Sequence, residues 1–213
     1  MARPLHVYLV LDTSGSMTGE PIAAVNNGVQ LLASTLRQDP VALENTYLSV
    51  ITFSETATQL IPLTDLSSFM PPTLNASGAT SLGAALTALS DAIDSEVKTT
   101  TAESKGDLKP LVFIMTDGLP TDNWQDGLNR FKTVKTGTVI ACAAGPDADE
   151  SLLENITPYV VRLDTADAST IGALFKRVSE SVLYMDGPIF GSPFHPLTAF
   201  SKIPPPPEIH LPA

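Results

Sequence analysis

The sequence predicts an α/β domain, a mostly parallel sheet covered by helices on both faces. Three observations predict it. Apolar runs alternate with stretches of helical periodicity as far as Leu183, the order of strands joined by crossover helices. The runs are apolar throughout rather than alternating, as strands buried on both faces are. Two neighbouring runs are separated only by "SET", residues 54–56, a link that favours a hairpin.

The first strand covers residues 5–11, "LHVYLVL", and stops at Asp12. A helix follows over 21–36, with Ile22, Val25, Val29, Leu32 and Leu36 on one face and Pro21 in its first turn. Residues 47–53 and 57–63 form the hairpin strands. The helix over 81–97 carries Leu82, Leu86, Leu89, Ile93 and Val97 on one stripe, and Gly83, Ala84, Ala85 and Ala88 are expected to seat it close to a sheet. After a Thr-rich polar loop come the strand Leu111–Thr116, a helix over 124–133 and a strand over 138–144, ended by "GPDAD". A helical turn at 151–155 and the strand Val160–Leu163 lead to the last helix. Asp167 or Ser169 caps that helix, which runs to Leu183 with Ile171, Leu174, Phe175, Val178 and Val182 inward.

The chain divides into a domain over 1–185 and a tail over 186–213, where eight of the eighteen prolines fall. Such a tail joins no helix or central strand. It is either without fixed structure or an extended polyproline segment that docks on a partner or on the domain itself. With 213 residues, 43% apolar and 16% charged, the chain is long enough for a sizeable core. A net charge of −11 disfavours nucleic acid and anionic membranes, which need a basic footprint. No window approaches a membrane span, and "MARPLHVYLVLD" shows no cleavage pattern, so the expected location is cytoplasmic. The lone Cys142 reads as a small buried hydrophobe.

In open α/β sheets ligands bind beyond the carboxyl ends of the strands. Asp12, Ser14 and Ser16 follow the first strand in "DTSGSM", Thr80 precedes a helix in "SGATSLG", and Asp117 follows a strand in "TDGLPTD". Each cluster alone reads as a turn. Together they let three loops aim oxygen at one point. Two carboxylates and three hydroxyls, without imidazole or thiolate, select a hard cation: Mg²⁺ or Mn²⁺ ahead of Ca²⁺, and not Zn²⁺. One coordination position would face outward, suited to a carboxylate from elsewhere.

These residues resemble the von Willebrand factor A domain, whose metal-ion-dependent adhesion site uses D-x-S-x-S, a Thr and an Asp at these places. The resemblance covers about residues 4–183. It is closer to the bacterial TerY-like proteins of tellurium-resistance clusters, on "VYLVLDTSGSM", "GEPI", "LSVITF", "GATSLGAAL", "PLVFIMTDGLPTD" and "ACAAGPDAD". It implies a doubly wound, Rossmann-like sheet with one antiparallel edge strand. It also implies that Ser14 and Ser16 bind metal directly, Thr80 directly or through water, and Asp12 and Asp117 largely through water. Partner kinases and phosphatases in metal-stress response are implied as well. The tail lies outside the resemblance.

The expected function is a binding module whose metal bridges to an acidic residue of a protein partner. Its rim is expected at Met17, Thr18, Leu119, Pro120, Thr121, Asp122 and Trp124. Trp124 reads as a hot spot or as a helix-start residue packed on the domain, and Asp122 as a helix cap or a rim contact. A second reading is a Mg²⁺-dependent phosphohydrolase with Asp12 as acceptor. The haloacid-dehalogenase pattern needs an acid two residues on, where Ser14 stands, and no phosphate-binding or nucleophile motif is present. His6, His195 and His210 have no evident catalytic partner. A third reading is a scaffold acting through "IPPPPEI" of the tail.

Overall fold

Residues 3–101, 103–186 and 209–210 are described by the structure, a computed structural model. The sheet is built around β1 (Leu5–Asp12), an interior strand with every residue buried. One side of β1 carries β2 (Thr46–Phe53) in parallel and then β3 (Ala57–Asp65) antiparallel at the edge. Its other side carries β4 (Leu111–Thr116), β5 (Val139–Ala144) and β6 (Val160–Leu163), all parallel. The doubly wound sheet and its hairpin edge are as the sequence implied. A two-residue β7 (Ile209–His210) adds a second antiparallel pairing on β6, giving the order β3-β2-β1-β4-β5-β6-β7. Apart from Asp186, which ends α6, this is the only part of the tail described. The readings made for the rest of residues 187–213, including His195 and the polyproline run, fall outside the described residues.

The apolar runs are continuous because each strand serves two cores. Leu5, Val7, Leu9 and Leu11 of β1 join one cluster, as do Leu111, Phe113 and Met115 of β4. Tyr8, Val10, Val112 and Ile114, one residue out of step, join the other. The first face is covered by α1 (Glu20–Leu36) and α6 (Ala168–Asp186), through Val25, Val29, Leu32, Leu174, Phe175 and Val178. The second is covered by α3 (Leu82–Glu96), α4 (Trp124–Phe131) and the single turn α5 (Glu150–Leu153). Cys142 is fully buried in the first core, and burial pushes its thiol pKa up.

One short helix, α2 (Pro40–Asn45), goes beyond the sequence reading. Asp39 caps it, accepting from the amides of Val41 and Ala42 at 2.9 Å each. Asp167, one of the two expected caps, holds the start of α6 by accepting from Ser169 and Thr170. The small face of α3 does not serve the sheet alone. Gly83 meets α4, where a Cβ would stand 2.7 Å from Trp124 Cα, and Gly127 meets Gly83 in return.

The edge strand β3 is irregular, with register shifts against β2 on both sides of Val50. Pro62 lies within this irregular stretch, where a missing amide costs no ladder bond. The freed amide of Leu63 donates instead to Glu96 Oε1 at 3.1 Å. Glu96 also accepts from the hydroxyl of Tyr8 at 2.9 Å and from Gln59, tying α3 to the sheet.

Candidate metal centre

β1 and β4 are neighbours, yet the chain leaves β1 toward β2 on one side and returns to β4 on the other. Their carboxyl ends therefore open a crevice at the point where the winding reverses. Asp12 ends β1 and Thr116 ends β4, one residue beyond the Leu11–Met115 pair. The Thr116 hydroxyl donates to Asp12 Oδ2 at 2.5 Å, and the Ser14 amide donates to Asp12 Oδ1 at 2.7 Å. The buried carboxylate thus ties the turn to the sheet. The chain then forms a 3₁₀ turn over Gly15–Met17, which lifts Ser16 to the surface and drives Met17 under α1.

Three loops are fastened here by backbone hydrogen bonds. The Thr13 amide donates to Phe53 O at 2.8 Å, and the Ser77 amide to Thr13 O at 2.8 Å. The Gly15 amide donates to Gly78 O at 2.9 Å. Gly78 has φ +80°, and a Cβ there would stand 2.8 Å from the Glu55 side chain, so both its conformation and its space call for glycine.

All five expected ligands gather at this crevice. Ser14 Oγ lies 3.0 Å from Ser16 Oγ, and the Ser16 hydroxyl donates to Asp117 Oδ1 at 2.7 Å. Thr80, 7% exposed, lies nearby: a Cβ added at Gly118 would stand 3.9 Å from Ser16 Oγ and 4.0 Å from Thr80 Oγ1. Asp12 and Ser14 are buried, Asp117 is half-buried and Ser16 is exposed. The row of oxygens therefore reaches the surface at Ser16, beside the half-buried Asp117.

Burial raises the pKa of Asp12 above the ordinary carboxylate range, against the hydrogen bonds from Ser14 and Thr116, and Asp117 adds to the rise. Asp117 is raised by burial too, opposed by Ser16, with Asp147 adding. Among the described residues, neither carboxylate has a basic side chain within 4.0 Å. Two poorly solvated carboxylates without a counter-charge fit a cation.

The oxygen spacing fits a small one. Ligands on adjacent corners of an octahedron with bonds of about 2.0–2.1 Å stand about 2.8–3.0 Å apart, as Ser14 Oγ and Ser16 Oγ do at 3.0 Å. No group of three or more His, Cys, Asp or Glu that would hold a metal occurs among the described residues. A site here would depend on the Ser and Thr hydroxyls.

The expected rim is only partly a rim. Thr18, Leu119 and Thr121 are exposed, Leu119 at 57%, and Pro120 is half-buried. Met17 is instead fully buried in the first core, carried inward by the 3₁₀ turn. Trp124 opens α4 and packs against the second core rather than standing out as an anchor. Asp122 is a cap, but of α3 rather than of the helix that follows it: its carboxylate accepts from the amides of Gly83 at 3.1 Å and Ala84 at 3.0 Å. The Thr121 hydroxyl accepts from the Thr80 amide at 3.1 Å. Thr116 and Gly118 belong to the site and went unread in the sequence, although both flank Asp117 in "TDG".

His6 starts β1, six residues before Asp12, or roughly 20 Å at about 3.3 Å per residue. It packs edge-on to Tyr47, with Nδ1 4.0 Å from Asp107. It takes no part in the crevice. Among the described residues, no helix is long and apolar enough to cross a membrane.

Solved structures show the same fold. The chain is 16% identical to the pilus adhesin SpaC from Lactobacillus rhamnosus GG, with a TM-score of 0.66 over 85% of this chain and 31% of that one. It is 15% identical to the ArnB paralog VWA2 from Sulfolobus acidocaldarius, with a TM-score of 0.62 over 84% and 45%. Proximal thread matrix protein 1 from the mussel byssus gives 19% identity and a TM-score of 0.61 over 84% and 48%. The chain thus spans less than half the length of each. No curated protein sequence matches it. The sequence profile of the von Willebrand factor type A domain matches residues 6–176, and the chain belongs to that family.

Proposed function

We propose that this protein is a metal-dependent protein–protein interaction module that takes a partner's carboxylate at the outward end of the crevice. The observation that carries this reading is the hydrogen-bonded row Ser14–Ser16–Asp117, with Thr80 of a third loop beside it. Ser14, Ser16 and Thr80 would hold Mg²⁺ or Mn²⁺ by their hydroxyls. Asp12 and Asp117 would balance its charge largely through water. When bound, the ion supplies a Lewis-acidic position for one external oxygen. Neutral hydroxyl donors leave that acidity less quenched than carboxylates would.

The chain's own residues do the remaining work. Asp12 holds the turn through the Ser14 amide. The 3₁₀ turn keeps Ser16 at the surface. Thr18, Leu119 and Pro120 line the approach. The type A domain family is one of adhesion and interaction modules, and the SpaC neighbour is itself a pilus adhesin. This supports a non-enzymatic role, as does the seat of His6 at the far end of β1. A cytoplasmic metal-stress or tellurium-resistance setting, with an associated kinase or phosphatase as partner, belongs to this proposal on the motif resemblance alone.

Thr80→Ala and Ser16→Ala are expected to abolish Mg²⁺-dependent capture of a partner while leaving circular dichroism unchanged. Capture that persists in full with chelator present defeats the bridging idea. The scaffold reading rests on the tail's motif; the described part of it, Ile209–His210, pairs with β6 of the domain itself. Deletion of residues 186–213 separates the two readings: it abolishes capture but not metal uptake if the tail carries recognition.

A further inference from the structure

Beyond β5, away from the crevice, the sheet reaches β6 (Val160–Leu163), whose cover among the described residues is the two-residue β7. The bonds between β5 and β6 show which backbone groups of β6 face outward. The Ala141 amide donates to Tyr159 O at 3.0 Å, and the Gly145 amide to Leu163 O at 3.0 Å. Successive residues of a strand turn their amide and carbonyl to opposite edges. Tyr159, Val161 and Leu163 therefore serve β5, while Val160 and Arg162 turn outward.

On that outer edge Arg162 stands opposite His210 and Leu163 opposite Ile209, antiparallel. The Arg162 position is thus met, and the described pairing stops short of Val160. Extended by two residues, this register would set position 212 opposite Val160, and the sequence has proline there, with no amide to donate. Pro204–Pro207 stand just ahead of the strand. Prolines before and after thus confine the tail's own pairing to a short stretch. Val161 and Leu163 belong to the first core and Val160 to the second, so the edge has apolar ground behind it on both faces. Positions 209 and 211 of the register fall opposite Leu163 and Val161, and the sequence places Ile and Leu there.

We propose that the outer edge of β6 is a docking site for an extended segment of a partner protein, with this chain's own C-terminal strand as its removable occupant. The segment runs antiparallel to β6, is free of proline over at least four residues and carries apolar residues at alternate positions. Such a strand answers Val160 as well as Arg162 and displaces one that answers Arg162 alone. Strand addition of this kind takes its affinity from main-chain hydrogen bonds and its specificity from alternate side chains. The tail's advantage is its tether, which holds it near the edge at an effective concentration on the order of 1 mM. It guards the edge against chance pairing and yields to a longer strand. This surface is separate from the crevice and does not rest on the metal reading.

The test is an NMR titration of the full chain, in chelator, with the blocked peptide EIHLVA, which repeats residues 208–213 with valine in place of Pro212. Chelator removes any contact between the peptide's carboxylate and a metal. His210→Pro takes one main-chain donor from the chain's own strand, and Pro212→Val gives it one more. One such hydrogen bond changes an equilibrium by a factor of about 2 to 12. His210→Pro is therefore expected to bind the peptide about fivefold tighter than wild type, and Pro212→Val about fivefold more weakly. The largest shifts are expected at the amides of Val160 and Arg162, with those of Ser14 and Ser16 unmoved. No binding to His210→Pro, equal affinity in all three chains, or shifts centred away from β6 overturn the proposal and leave the metal reading standing. Sedimentation settles the other occupant: a wild type that is dimeric, and monomeric as His210→Pro, puts a second copy's tail on this edge and overturns the partner assignment.

Discussion

At Asp12 a fully buried carboxylate receives two hydrogen bonds, yet its pKa stands above the ordinary range because burial outweighs them. A raised folded-state pKa means that the ionised group opposes folding. The penalty is absent below the ordinary carboxylate range, grows as pH rises through the folded value and is complete above it. Without metal, Asp12→Asn is therefore expected to melt higher than wild type near pH 7 and to lose that advantage near pH 3. With saturating Mg²⁺ the order near pH 7 reverses, since wild type gains about 2.7 kcal/mol at 100 times the dissociation constant. Melting curves with and without chelator read both arms. An Asn variant less stable than wild type in chelator near pH 7 defeats the account. The five oxygen-bearing residues were legible because each stands where an element stops or starts. The inward turn of Met17 and the true partners of Thr121 and Asp122 were not, because they depend on loops far apart in sequence meeting in space.

The elements hold two glycines of opposite character. Gly127 lies where α4 touches the backbone of α3, so Gly127→Ala must separate the helices, at a cost of about 1–3 kcal/mol or more. Gly172 lies within α6 with nothing within 4 Å of an added Cβ, so Gly172→Ala is expected to stabilise by about 1 kcal/mol. Urea unfolding of the pair checks both; equal shifts would contradict the packing described. The strands were readable because burial on two faces leaves an unbroken apolar run. The sequence places Gly83 against the sheet, because a small residue marks a close approach without saying to what. The short α2 carried its own signal, Asp39 before Pro40, but one turn shows too little periodicity to be noticed.

For the molecule as a whole, a charge of −11 would repel the acidic partner proposed for the site. The Debye length is about 8 Å at physiological salt, while coordination acts at about 2 Å. Salt should therefore speed the encounter and leave dissociation nearly unchanged. Stopped-flow mixing with an acidic probe peptide at low and high salt measures this, and an association rate that falls with salt would place the contact on basic residues instead. The sheet adds a consequence along its flank. Pro62, in the irregular outer strand, has no amide to offer a newcomer, and the bend around it spoils any straight template. The protein can crowd beside its own copies at high density without that flank zipping onto theirs, so fibres grown from the native protein would have to begin at another seam.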